Sequence, residues 1–230
     1  MIKFVKFILA LLLLPCVWSS LQVVYETMAR SLSAEFPWNS VIFFAGGFLL
    51  WLVLYFTTGR LTSWYIFQHE ATHALAVWTS GGKVSKFHIS ERGGHIVADR
   101  TSAWISLAPY VIPLYPLMSG LVWAVLVWIY PPSREWTPYF LFFWGMVWSF
   151  HFSFTFSLMK TEQTDFSSQG YLFSWVVITL SNLWMLTLMF WIWLTPLPLW
   201  QLLQLAGKFT LANYRNLWEL AVAVFQLSQG

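Results

Sequence analysis

Long apolar blocks alternate along the chain with short polar islands. The blocks cover residues 1–24, 40–58, 61–79, 101–129, 137–159 and 171–195, and each is long enough to cross a bilayer as a helix. About six transmembrane segments are therefore expected. Between them lie a polar connector at 25–39 with Glu26, Arg30 and Glu35, a tight Pro131-Pro132-Ser133-Arg134-Glu135 loop, and a polar island at 160–170. The opening Met-Ile-Lys-Phe-Val-Lys could head a signal peptide. The apolar run continues past any A-x-A-like site, which favours an uncleaved first span.

Several places break the helical pattern. Gly46-Gly47 in the second block allows close helix approach. Gly81-Gly82 after the third block suits a helix C-terminus. Residues 83–90 alternate with period two, Glu91-Arg92-Gly93-Gly94 turns the chain, and His95 to Asp99 follow, so a short β-hairpin is expected. Residues 101–129 hold Pro109, Pro113 and Pro116, which must kink or break a helix. That element either lines a site or is a kinked packing helix. Pro196 and Pro198 end the last span. Residues 199–228 read as an amphipathic interfacial helix, with Leu202, Leu205, Phe209 and Leu217 near helical spacing. The expected fold is an all-α polytopic membrane protein forming a single membrane domain over 1–230. Two N-terminal spans occupy 1–58, a core 60–195, and the interfacial helix 199–228.

Composition strengthens this reading. Charged residues are 9% of the 230 and hydrophobic ones 58%, against about 25% charged in soluble domains. A large soluble domain is excluded, and the bilayer is an obligatory partner. The net charge of +3 is scattered, which argues for lipid headgroups and against nucleic acid. Six spans divide the basic residues evenly between the two sides, so the positive-inside rule assigns no orientation.

Candidate chemistry sits in the third block. His69, Glu70 and His73 form the pattern H-E-x-x-H. On a helix, positions four apart share a face, so both imidazoles can reach one ion. Glu70 can then hold and deprotonate a water, leaving zinc as the expected cofactor. Ionisable groups in so apolar a segment are costly and point to function. The bland reading is a polar helix face satisfied by hydrogen bonds.

A catalytic zinc commonly takes three protein ligands. Ala76 and Thr79 exclude the metzincin extension, and Glu91 falls in the hairpin turn. The two aspartates are Asp99, beside Arg100 and suited to an ion pair, and Asp165, at the mouth of the last span. Asp165 is the leading third ligand. His151, mid-span among Ser149, Ser153 and Thr155, is the alternative, with His88 and His95 behind it.

His69-Glu70-Ala-Thr-His73-Ala-Leu, then Gly81-Gly82, a short β segment and a Pro-containing span, resembles the site-2 protease family of intramembrane zinc metalloproteases, especially its small bacterial branch. The resemblance covers about residues 60–175. It implies His69 and His73 as ligands, Glu70 as base, a membrane-anchored protein as substrate and the bacterial inner membrane as location. The family's distal Asn-x-x-Pro-x-x-x-Leu-Asp-Gly is not matched: Asp165 corresponds to its Asp, and Phe166 stands in place of its Gly. The expected function is hydrolysis of a peptide bond near the bilayer. The alternatives are a non-catalytic relative that binds metal or a membrane partner, and, more remotely, a transporter with a Pro-broken span.

Overall fold

The computed structural model describes residues 2–32, 37–58, 62–90, 93–160, 163–194 and 198–228. The elements in order are α1 (Ile2–Leu32), α2 (Trp38–Thr57), α3 (Thr62–Thr79), β1 (Val84–Ser90), β2 (Gly93–Ala98), α4 (Ala103–Val111), α5 (Leu114–Ile129), a 3-10 turn (Pro131–Trp136), α6 (Thr137–Met159), α7 (Thr164–Gln169), α8 (Tyr171–Leu194) and α9 (Leu199–Leu227). The class is all-α with a two-stranded sheet. Among the described residues, four helices are long and apolar enough to span a membrane: Ile2–Arg30, Trp38–Thr57, Pro131–Met159 and Tyr171–Ile192. The α4–α5 pair makes a fifth if its two halves are one span bent by 64°. The sixth expected segment is α3, which is outside that set and carries the His-Glu motif. Glu35, Arg60, Glu91, Arg92 and Pro196 lie outside the described residues.

The chain divides into two compact units, Met1–Phe36 with Gly170–Gly230, and Pro37–Gln169. In the first, α1 packs on α8 and α9. The start of the expected polar connector is helical instead, because α1 runs on to Leu32. Glu26 and Arg30 pair one turn apart at 2.8 Å, and the Thr27 hydroxyl donates to the Val23 carbonyl, so the polar residues are satisfied without leaving the helix. Asn213 of α9 donates to Ser19 Oγ at 2.9 Å and Gln22 Oε1 at 2.8 Å on α1. Of the apolar positions expected along α9, Leu202 is fully buried and Leu217 is exposed.

In the second unit α2 lies along α6 at backbone contact. A Cβ on Gly47 would sit 1.8 Å from the Phe142 carbonyl oxygen, and one on Gly145 would sit 2.1 Å from that of Phe44. Glycine at both crossing points is what lets the two backbones meet. Trp51, Tyr65, Phe150 and Phe154 form the core beneath this crossing. Trp51 Nε1 donates to Ser153 Oγ across it at 2.9 Å.

Helix α3 ends as its glycines anticipate. Gly81 takes φ 71°, its N–H donates to Trp78 O, and Gly82 N–H reaches back to Val77 O, both at 2.9 Å. Arg100 caps the same end by donating to Ser80 O at 2.7 Å. The hairpin is antiparallel, with Phe87 opposite Ile96 and His88 opposite His95. Ile96 and Ala98 pack on Ala76, Val77, Ile105 and Ala108, so one face of the hairpin is held against α3 and α4.

Candidate metal centre

The tripled prolines produce the break that the site uses. Pro113 has no N–H to continue α4, so the chain bends between Val111 and Leu114. Pro109, inside α4, acts more finely. A residue there would ordinarily donate to the carbonyl four positions earlier, at Ile105. Proline cannot, and the Ile105 carbonyl accepts instead from His73 Nδ1 at 2.7 Å. His73 is thereby held in the tautomer whose Nε2 lone pair is free.

His69 is oriented from the other side. Its Nδ1 meets Tyr65 Oη at 2.8 Å. Tyr65 is in turn stacked on Phe154 of α6 at 4.4 Å between ring centres and 7° between planes. Both Nδ1 atoms are engaged, so both Nε2 atoms turn to the same space, 3.1 Å apart.

Asp165 completes the group. Its Oδ2 lies 3.5 Å from His69 Nε2 and 3.5 Å from His73 Nε2. Tyr110, fully buried on α4, donates its hydroxyl to that oxygen at 3.0 Å. Short α7 is held in place at two points. Phe166 is completely buried against Tyr110 with ring centres 4.7 Å apart, and Gln169 Nε2 donates to Ser106 Oγ at 3.1 Å. Phe166, which stands where the resembled family has glycine, is therefore the anchor of the segment that presents the carboxylate. Burial opposes ionisation of Asp165. When the imidazoles also carry a proton on Nε2, their hydrogen bonds and charge outweigh it and hold the carboxyl well below its usual range.

The other candidates are elsewhere. His151 is buried on α6 against Trp148 and Phe152. His88 and His95 face each other across the hairpin. Asp99 closes the hairpin by accepting from Lys83 N–H at 2.8 Å, with Arg100 Nε 3.7 Å away. Among the described residues, His69, His73 and Asp165 are the group of three or more His, Cys, Asp or Glu able to hold a metal ion.

The donor set fits a small tetrahedral cation. An ion with bonds of about 2.0–2.1 Å needs ligand atoms about 3.3–3.4 Å apart. The three separations here are 3.1, 3.5 and 3.5 Å. Two imidazole nitrogens with one carboxylate oxygen suit zinc. A cavity of about 450 Å³ opens beside them, bordered by Glu70, Gly94, Ser106 and Thr164. Glu70 is buried, and β2 lies directly on it: a Cβ on Gly94 would sit 2.6 Å from Glu70 Cγ and 2.7 Å from Ile66 Cγ2.

Tyr65, Tyr110, Gly94 and the Pro109–Ile105 pair are site residues that the motif does not include. Tyr65 had a readable signal, since it stands four residues before His69 on the same helix face. The rest depend on contacts distant in the chain.

No family model, no curated protein and no solved structure matches the chain.

Proposed function

We propose that the chain is an intramembrane zinc metalloprotease that hydrolyses a peptide bond of a membrane-anchored protein. The observation that carries this reading is the convergence of His69 Nε2, His73 Nε2 and Asp165 Oδ2 within 3.5 Å of one another, in a cavity shared with buried Glu70. The resemblance of residues 60–175 to the site-2 proteases points the same way.

His69, His73 and Asp165 would hold the ion. When bound, zinc supplies Lewis-acid polarisation of a water and of the scissile carbonyl. Glu70 accepts the proton of the attacking water and passes it to the leaving amine, so one carboxylate serves as base and then as acid. The Ile105 carbonyl keeps His73 in the tautomer whose Nε2 lone pair is free, and Tyr65 orients the ring of His69. Tyr110 steadies Asp165. Among the described residues β2 pairs with β1 along one edge, and its other edge suits an extended substrate strand beside Glu70.

The test uses purified full-length protein, a membrane-anchored reporter and the Glu70→Gln variant. Wild type cleaves; the variant keeps its metal and loses cleavage by at least 100-fold. Equal rates for the two would overturn the mechanism. Metal uptake without cleavage of any membrane-anchored reporter would favour the non-catalytic metal-binding reading.

A further inference from the structure

The hairpin carries two histidines that the centre on α3 does not use. Strand side chains alternate between faces. Phe87, Gly94 and Ile96 lie on the face toward α3, where Phe87 meets Phe67 at 6.3 Å between ring centres. His88 and His95 therefore occupy the opposite face. Both are exposed, and they are directly paired in the register. Their ring centres are 5.3 Å apart, with planes inclined by 40°.

We propose that His88 and His95 form a second binding site for a divalent transition ion, with water completing its coordination. An ion bonded at about 2.1 Å to one nitrogen of each ring sits about 3.2 Å from each ring centre. Ring centres separated by 5.3 Å then subtend about 110° at the ion, the angle that tetrahedral coordination asks for. Imidazole pairs suit copper(II), nickel(II) and zinc. An exposed pair needs no desolvation of its ligands before the ion arrives, but it also gains no enclosed field. Lys86, exposed two residues before His88 on the same face, adds a repelling charge. The hairpin site is thus the weaker of the two. Because its ligands come from both strands, an ion there cross-links β1 to β2 and holds their register.

The experiment titrates zinc into untagged, metal-stripped, full-length protein in detergent and counts bound ions at defined free zinc. Wild type takes up two ions of unequal affinity. His88→Ala/His95→Ala keeps the tighter ion and weakens the second at least tenfold, and these exposed substitutions leave the helical packing intact. His69→Ala loses the tighter ion and keeps the weaker. Copper(II) added to the wild type and the double variant gives an independent reading: the electron paramagnetic resonance spectrum of the wild type shows two sets of nitrogen couplings, one from each centre, and the double variant keeps only that of the centre on α3. Identical uptake and spectra for wild type and the double variant overturn the hairpin site. Uptake unaffected by His69→Ala but reduced by the double variant supports the hairpin site and counts against the centre on α3.

Discussion

Pro109 leaves the Ile105 carbonyl free for His73. The proline removes the N–H that would claim the Ile105 carbonyl, and His73 Nδ1 takes that carbonyl at 2.7 Å. A residue that costs the helix a hydrogen bond supplies a candidate metal ligand with its partner. Pro109→Ala should restore the competing donor. Groups that orient a metal-binding histidine typically contribute 10–100-fold in metal affinity. Zinc affinity, read by chelator competition, should fall about tenfold, while thermal stability holds or rises because α4 becomes more regular. A loss of affinity in step with a loss of stability would show instead that Pro109 matters for packing alone.

Gly94 sets the distance between the hairpin and the base. A Cβ there would meet Glu70 Cγ at 2.6 Å and Ile66 Cγ2 at 2.7 Å, so the strand or Glu70 must move. Gly94→Ala should lower cleavage roughly tenfold while zinc stoichiometry is unchanged, because His69, His73 and Asp165 are not displaced. The overpacking costs about 1–3 kcal/mol. Turnover and bound zinc measured on one preparation check the split.

The α2–α6 crossing should tolerate no side chain at its glycines. Gly47→Ala and Gly145→Ala each place a methyl on a backbone oxygen, which cannot swing aside as a side chain can. The helices must separate, loosening Trp51 from Ser153 and the aromatic core below. Either change should lower the unfolding midpoint by several degrees. Gly46→Ala should do little, since its Cβ would stand at an ordinary 3.4 Å from Phe142 Cε2. Thermal unfolding of the three variants in detergent measures this.

Much of this arrangement was legible in the chain because its signals are local. The H-E-x-x-H spacing needs only helical periodicity, the hairpin only period-two alternation, and the α4–α5 break only the chemistry of proline. Gly81-Gly82 and the close approach at Gly47 followed from residues with one conformational or steric use, whereas Gly46 beside it stands at an ordinary contact distance. The third candidate ligand was harder. Asp165 lies 92 positions beyond His73, on a helix of 6 residues that is too short to show a period. What holds it is Phe166 against Tyr110, a contact between separate apolar segments that no spacing encodes. The end of α1 was misread for the converse reason: Glu26 and Arg30 look like a connector until their pairing one turn apart is seen.

Asp165 and His151 competed in the sequence, and they separate cleanly in a variant pair. Asp165→Asn keeps the shape and the acceptor for Tyr110 but removes the negative charge that pairs with the cation and with both imidazoles. Zinc affinity should drop at least 100-fold with little change in fold. His151→Ala empties a fully enclosed site on α6 beside Trp148, so it should destabilise by about 2–4 kcal/mol and leave zinc affinity intact. Acid should act on the centre in order. Imidazoles ordinarily gain protons near pH 6.5, and protons compete with the ion for them. Asp165, whose carboxyl is held below its usual range, stays ionised through that window. Its stabilising contribution is present above the ordinary carboxyl pKa and is lost only as pH falls through the depressed value. Zinc should therefore leave on histidine protonation, before the carboxylate titrates. Release in a single step well below the usual carboxyl range would instead place the controlling proton on Asp165 and reverse that order.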